Sequence, residues 1–299
     1  MREEKFSFQS RGEVMAGTLF RPDWETNGSV VTTGPLTSVK EQAAGAYARA
    51  LAERGYAALA FDHRGFGQSG GLPRQFETPQ GKAEDIGEAI TALSRDERTA
   101  GLPVFAVGVC AGGGYMAQSV ANDWRVRAFA GVAGVYSDAQ QTKSWLGDGY
   151  QEAIERARAA EARWRQTGYA ETIPAVAPDN GDVAMPLDEA YAFYGTQRGA
   201  VANYVNGFAV QSRAYTLPFD VQRVAGDIRA PVIIVHSEKA LAPALAHRFF
   251  DAVAAEKEEL WLSSQGQIDF YDDERLIGPA ADAIDRFFRR VAGNSPAAG

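Results

Sequence analysis

The chain has 299 residues, of which 45% are hydrophobic, and this is enough to bury the core of one large α/β domain. No run of about 18 apolar residues occurs, so no transmembrane helix is expected. The start of the chain lacks the apolar segment of a signal peptide, so no signal peptide is expected. The net charge of −8, without a basic stripe, argues against a nucleic-acid partner. One cysteine forms no internal disulfide, which fits the cytoplasm, and we expect a cytoplasmic protein without a membrane partner.

Strand and helix patterns alternate along the first part of the chain. An N-terminal hairpin is predicted at residues 6–13 and 15–22. Further strands are predicted at 29–33, 56–61, 104–109 and 126–135, and helices at 39–54, after Gln80 and at 112–121. Several of these strands are apolar on both faces, which is typical of a mainly parallel sheet flanked by helices.

The alternation stops between residues 137 and 223, a stretch with helical patterns and eleven aromatic residues. It resumes with a strand at 231–235, a helix, a strand at 259–262 and a final helix. We therefore predict one α/β core formed by residues 1–136 and 224–292. A helical cap insertion is predicted at 137–223, and a disordered tail at 293–299.

The only cysteine lies between two glycines at the end of a predicted buried strand, in the sequence PVFAVGVCAGGGY at residues 103–115. A strand, a Gly-x-nucleophile-x-Gly turn and a helix form the nucleophile elbow of α/β hydrolases. The helix N-terminus favours an anion, so we expect Cys110 to be a nucleophile whose pKa is lowered. A buried structural cysteine is the alternative.

Two backbone N–H groups are candidates for an oxyanion hole. One belongs to Ala111, the residue after the nucleophile, and the other comes from the loop after the third strand. In that loop Pro35 has no N–H to donate, so Leu36 is the candidate. The alternative is that Gly34-Pro35 only ends a strand.

Several segments resemble a branch of bacterial α/β hydrolases that is similar to dienelactone hydrolases and to fungal polyketide transferases. The cysteine elbow GVCAGG looks like that of dienelactone hydrolases. The resemblance covers about residues 6–290, and its other segments are GPLTSVKEQ (34–42), DHRGFGQS (62–69), RGA (198–200), NGFAV (206–210) and DFYD (269–272). It implies the α/β-hydrolase fold and chemistry on an ester, thioester or similar acyl substrate.

The catalytic triad of this fold is incomplete. In the chain order nucleophile, acid, histidine, the acid should follow the strand at 231–235. Lys239 and Ala240 stand where relatives usually have an aspartate, and Glu238 is the nearest carboxylate. The histidine would be expected where Gln267 stands, so the usual general base is missing.

None of the three histidines is an obvious replacement. His63 lies in a turn after a core strand and His236 ends a buried strand, and a packing role is the alternative to catalysis for both. His247 lies on a helix beside Arg248 and is expected at the surface. Tyr271 lies near Gln267 and is a further candidate site residue. Three scattered histidines form no zinc site, and neither a metal nor a cofactor is expected.

A thiol nucleophile depends less on a general base than a hydroxyl nucleophile does. Free cysteine has a pKa of about 8.5 and is already a few per cent thiolate at neutral pH. Acylation of Cys110 is therefore feasible, whereas deacylation by water lacks a general base worth about 10²–10⁴-fold. We predict acyl transfer, cyclisation or slow hydrolysis, with Glu238 orienting an acceptor and Gln267 donating to a substrate carbonyl.

Two other functions stay open. One is non-covalent lyase, isomerase or cyclase chemistry in which Glu238, His63 or Tyr271 acts as acid or base. The other is a degenerate hydrolase that only binds a ligand. In each case the predicted partner is a small hydrophobic acyl or aryl molecule held by cap aromatics, and a homodimer is compatible with the sequence.

Overall fold

The computed structural model describes residues 1–293, and one eight-stranded sheet forms its centre. Within residues 1–293 there are ten strands, eight of which form this sheet. They are β1 (Arg2–Ser10), β2 (Glu13–Arg21), β3 (Gly28–Thr33), β4 (Tyr56–Phe61), β5 (Val104–Val109), β6 (Val126–Val132), β7 (Thr172–Ile173), β8 (Phe208–Ala209), β9 (Val232–His236) and β10 (Lys257–Trp261). Their order across the sheet is β1-β2-β4-β3-β5-β6-β9-β10, while β7 and β8 pair separately.

Ten α-helices accompany these strands within residues 1–293. They are α1 (Ala43–Ala52), α2 (Pro79–Arg95), α3 (Ala111–Val120), α4 (Ala139–Leu146), α5 (Gly149–Thr167), α6 (Asp188–Tyr194), α7 (Arg213–Thr216), α8 (Pro243–Ala252), α9 (Asp269–Asp272) and α10 (Glu274–Gly293). Helices α1 and α10 bury their apolar faces on one side of the sheet, and α2, α3 and α8 on the other. The predicted α/β fold is thus confirmed.

The sheet is antiparallel only at its N-terminal edge. β1 pairs with β2 and β2 with β4 in antiparallel register, and the remaining pairs are parallel. Arg11 and Gly12 join β1 to β2 with φ values of 51° and 85°. Two successive positive φ values match the right-handed twist of a hairpin.

The cap segment, defined as residues 137–223, lies between β6 and β9 and is not wholly helical. It holds α4 to α7 and also the small β7–β8 sheet. Its Arg198 guanidinium forms two 2.6 Å hydrogen bonds with Asp272, and the Gln42 side chain donates to the carbonyl oxygen of Gly199 at 2.8 Å. Since Gln42 follows β3 and Asp272 follows β10, the cap contacts loops at the carboxyl ends of the parallel strands.

Several predicted boundaries differ from the observed ones. The helix predicted from residue 39 begins at Ala43, because the preceding loop is held by Asp62, which accepts from the Lys40 N–H at 2.8 Å and from its Nζ at 3.0 Å. The tail was predicted to begin at Gly293, which is the last residue of α10; residues 294–299 lie outside the described part. None of the described helices is long and apolar enough to cross a membrane.

Candidate active site

The turn between β5 and α3 holds Cys110 in a backbone conformation that few side chains adopt. Cys110 has a φ of 57° and a ψ of −124°, and its N–H donates to the Val132 carbonyl oxygen at 3.0 Å. A Cβ on Gly108 would lie 2.3 Å from the Gly112 carbonyl oxygen, and a Cβ on Gly112 would lie 2.6 Å from that of Gly34. The two glycines therefore let strand, helix and the β3 loop meet around a strained residue.

Four polar groups approach the sulfur of Cys110. They are the Tyr271 hydroxyl, the Ala111 N–H, the Gln267 side chain and the Leu36 N–H. Burial raises the pKa of the Cys110 thiol, and hydrogen bonds from these groups oppose the rise without reversing it. The prediction of a lowered pKa is therefore wrong, because burial of the thiol outweighs the neighbouring donors, the N–H of Ala111 at the helix N-terminus included.

Gln267 occupies the position expected for the base and is fixed at both ends of its carboxamide. Nε2 donates to the Ala133 carbonyl oxygen at 2.8 Å, and Oε1 accepts from the Leu241 N–H at 2.9 Å. A carboxamide does not accept a proton at neutral pH, so it replaces the geometry of a histidine but not its chemistry. Burial also raises the pKa of Tyr271 well above its ordinary value, which makes its hydroxyl a neutral donor.

All three histidines are held away from the thiol. His63 is buried, with Nε2 2.8 Å from Thr33 Oγ1 and Nδ1 3.4 Å from Asp85. His236 is buried against backbone carbonyl groups, and His247 stacks on Trp261. Burial lowers the pKa of both His63 and His236. These contacts are those of packing residues, and they do not support the predicted substrate contact of His63.

The predicted carboxylate Glu238 faces solvent. Its side chain is 68% exposed, and Oε1 lies 2.9 Å from His247 Nε2. The loop after β9 thus directs this carboxylate toward α8 and not toward Cys110. This placement does not support the predicted orienting role of Glu238.

A buried carboxylate that the sequence analysis missed lies behind the loop after β3 that carries Leu36, which we call the oxyanion loop. Glu77 is fully buried; its Oε2 accepts from the Thr37 N–H at 3.3 Å, and its Oε1 lies 3.0 Å from Lys82 Nζ. The Tyr115 hydroxyl lies beside it, and burial together with the Glu77 charge raises the pKa of Tyr115. The sequence FETP reads only as the start of a helix, so no pattern distinguishes this glutamate. Glu77 fixes the residue that follows Leu36.

Aromatic residues of the cap form one wall beside the thiol. The ring of Tyr194 lies 5.3 Å from that of Tyr204 and 6.4 Å from that of Tyr271, and Phe193 lies 5.6 Å from Tyr271. Burial raises the pKa of Tyr194, and the charge of a nearby Cys110 thiolate would raise it further. Other cap aromatics lie elsewhere; Trp145, Tyr169 and Tyr215 are exposed.

Three surface cavities lie away from the thiol. Three surface cavities in the described part of the chain have volumes of about 430, 530 and 460 Å³, and Cys110 lines none of the three. Cys110 itself is 7% exposed. The groups named above at its sulfur are polar, although Cys110 also belongs to the apolar core cluster against which α1 and α10 pack.

Known proteins share this architecture. Protein PA2218 of Pseudomonas aeruginosa is 28% identical over 305 residues, which cover 96% of this chain and 80% of that protein. The structure of DcsB in complex with a substrate analogue has a TM-score of 0.85 at 20% identity, and covers 98% of this chain and 100% of that one. GrgF from Penicillium sp. sh18 has a TM-score of 0.80 at 21% identity, with the same coverage.

The sequence model of one hydrolase family matches most of the chain. The family is described as serine aminopeptidase, S33, and the match spans residues 41–266, which include the elbow and the cap segment and end one residue before Gln267. The eight-stranded sheet, with helices on both faces, agrees with this match. The chain therefore belongs to the serine aminopeptidase S33 family of α/β hydrolases.

Proposed function

We propose that this α/β hydrolase takes an acyl group from a thioester or activated ester onto Cys110 and transfers it to an acceptor nucleophile. The observation that supports this most is the strained Cys110, whose thiol lies near the N–H groups of Leu36 and Ala111 while every histidine has its contacts elsewhere. Hydrolysis is the slow side reaction in this proposal.

The first step forms one bond and breaks another. Cys110 loses its proton to solvent, and the thiolate attacks the substrate carbonyl carbon while the carbonyl π electrons move onto oxygen. The Leu36 and Ala111 N–H groups donate to this oxyanion. The electrons then return, the bond to the leaving group breaks, and that group departs as a thiolate or aryloxide, which needs no general acid.

The second step depends on the acceptor. Water attacks the acyl-thioester slowly because Gln267 takes no proton, and a general base is worth about 10²–10⁴-fold. A thiol or an amine is the stronger nucleophile and needs less help. Acyl transfer therefore outruns hydrolysis when such an acceptor is present.

Mass spectrometry of the intact protein tests the proposal. After incubation with p-nitrophenyl acetate or an acyl N-acetylcysteamine thioester, we expect one acyl adduct that disappears in Cys110→Ala. The adduct should persist in buffer and be released faster by added cysteamine. An adduct of equal yield in Cys110→Ala would exclude this thiol as the nucleophile.

Non-covalent chemistry is the second candidate, and the raised pKa of Cys110 favours it. A neutral thiol beside the neutral donors Tyr271 and Gln267 is suited to binding a carbonyl oxygen without attacking it. In that case Cys110→Ala retains turnover of the eventual substrate, while Tyr271→Phe loses it.

A further inference from the structure

A surface cavity of about 430 Å³ lies where the core and the cap segment meet, and Cys110 does not line it. The core contributes Glu13 of β2 and Phe76, which precedes α2, and the cap segment contributes Tyr215 of α7. We call this the junction cavity. Pockets that bind small molecules have volumes of about 300–1,000 Å³ and combine apolar walls with a few polar groups. The junction cavity has the size of such a pocket, and its lining determines which charge a ligand should carry.

One wall of the junction cavity is apolar and holds two aromatic rings in contact. The ring centre of Phe76 lies 5.6 Å from that of Tyr215, with an angle of 76° between the ring planes. The Tyr215 hydroxyl donates to Glu161 at 2.7 Å, which holds this ring in place. Leu72 and Pro73 add further apolar surface, and Leu72 is 75% exposed. This wall suits a small hydrocarbon or aryl group.

Every cation that lines the junction cavity already has a carboxylate partner. The N···O distances are 3.1 Å for Arg11 and Glu84, 2.6 Å for Arg64 and Asp85, and 3.0 Å for Lys82 and Glu77. Two of these lining residues are almost fully buried, Lys82 at 3% exposed and Asp85 at 1%. An anionic ligand would therefore have to displace one of the carboxylates, at the cost of breaking a partly buried ion pair.

Glu13 is the carboxylate that remains without a cation. It is partly buried, and within residues 1–293 its side chain forms neither an ion pair nor a hydrogen bond. A Cβ on Gly70 would lie 2.6 Å from Glu13 Oε2, so the carboxylate lies against the Gly70 backbone. Since the three ion pairs are neutral, Glu13 gives the cavity a net negative charge. The faces of the Phe76 and Tyr215 rings also attract cations. Both features favour a positively charged ligand.

We propose that the junction cavity binds a small organic ammonium ion, with the ammonium group at Glu13 and the apolar part against Phe76 and Tyr215. The inference does not rest on the proposed acyl transfer, because Cys110 does not line this cavity. The whole chain has a net charge of −8, so a general attraction of cations is the competing explanation. The two explanations differ, since only a site depends on one particular carboxylate.

Calorimetry at pH 7 with three matched probes tests this site. The probes are 2-phenylethylammonium, 2-phenylethanol and 3-phenylpropanoate, which share a phenyl ring and differ in charge. We expect the ammonium ion to bind about tenfold more tightly than the alcohol, and the carboxylate to bind most weakly. In Glu13→Gln the advantage of the ammonium ion over the alcohol should fall to about twofold or less. Tyr215→Leu, which keeps an apolar side chain, should weaken ammonium binding about threefold.

Two further variants serve as controls. Cys110→Ala should bind the ammonium ion as the wild type does. Glu25→Gln removes an exposed carboxylate that does not line the cavity, and it should keep the advantage of the ammonium ion. A thermal melt shows whether each variant is folded. Tyr215 is 37% exposed, so Tyr215→Leu provides the test if Glu13→Gln does not fold.

Several results would overturn the proposal. They are equal binding of the ammonium ion and the alcohol, tighter binding of the carboxylate, and no saturable binding of the ammonium ion at millimolar concentration. An advantage that persists in Glu13→Gln, or that falls equally in Glu25→Gln, would show general attraction by the acidic chain. Binding that is lost in Cys110→Ala would place the ammonium ion at the thiol. Acylation of Cys110 without ammonium binding would support the proposed function alone.

Discussion

The Gln267 carboxamide donates to the Ala133 carbonyl oxygen at 2.8 Å and accepts from the Leu241 N–H at 2.9 Å. One side chain therefore joins the loops that follow β6, β9 and β10, three neighbouring strands at one edge of the sheet. Gln267, which stands where the triad histidine is expected, therefore has a structural role of its own. A residue left behind by loss of the catalytic histidine alone would not need both contacts.

Gln267→His should introduce a base next to Cys110. We expect the acyl-enzyme to hydrolyse about 10-fold to 100-fold faster, less than the full contribution of a base, because Lys239 and Ala240 stand where the orienting acid would be. Mass spectrometry of adduct decay measures this rate. Gln265→His on the exposed part of the same loop is the matched control and should decay at the wild-type rate. A rate unchanged in Gln267→His would contradict the position assigned to this side chain.

Removing the charge of Glu77 should both destabilise the fold and slow acylation. Glu77→Gln leaves Lys82 buried beside a neutral group, at a cost of about 3–5 kcal/mol in the free energy of unfolding. Glu77→Gln combined with Lys82→Met removes both charges and should recover most of this loss, as urea unfolding would show. The oxyanion loop loses its carboxylate in both variants, so kcat should stay low in the double variant. Full recovery of kcat there would mean that Glu77 acts only on stability.

The reactivity of Cys110 should depend on pH as expected for a thiol with a raised pKa. Only the thiolate reacts, and burial shifts its appearance above the ordinary value of about 8.5. The rate of alkylation by iodoacetamide should therefore rise about tenfold per pH unit from pH 6 to pH 8 and keep rising beyond. Tyr271→Phe removes a donor to the thiolate and should move the profile to higher pH. A plateau below pH 8 would show a lowered pKa instead.

Substitution by alanine should lower the free energy of unfolding at Gly112 and raise it at Gly87. A Cβ on Gly112 would lie 2.6 Å from the Gly34 carbonyl oxygen, so Gly112→Ala should lower the free energy of unfolding by about 1–3 kcal/mol and displace the Leu36 loop. Gly87 in α2 has nothing within 4 Å of the added atom, and Gly87→Ala should stabilise by about 0.5–1 kcal/mol. Urea midpoints measure both. Equal effects would contradict the tight elbow.

The parts of the fold that sequence predicts well are those with one strong local pattern. Strands β4 and β5 were predicted with the observed bounds, since six consecutive buried residues leave little choice. The elbow followed from the spacing of two glycines around Cys110, which is a steric requirement of the turn. The small β7–β8 sheet was missed because two-residue strands have no periodicity.

The electrostatics of the site depend on contacts between distant segments and were predicted less well. The position of Glu238 in the chain placed a carboxylate in the right loop but said nothing of its direction, which is toward His247. The pKa of Cys110 was predicted from the local helix, whereas burial of the thiol in the folded chain decides the direction of the shift. Glu77 is distant in sequence from Cys110 and is joined to the site through Thr37 and Tyr115.

The cap segment is fastened to the core by Arg198 on Asp272 and by Gly199 on Gln42, directly above a thiol that is 7% exposed. We expect substrate association to break these contacts, so that its rate constant reports a conformational step in addition to diffusion. The ion pair is partly exposed to water, and added salt weakens it. We therefore expect higher ionic strength to increase the fraction of molecules in which substrate can reach the thiol, without changing the reactivity of the thiolate.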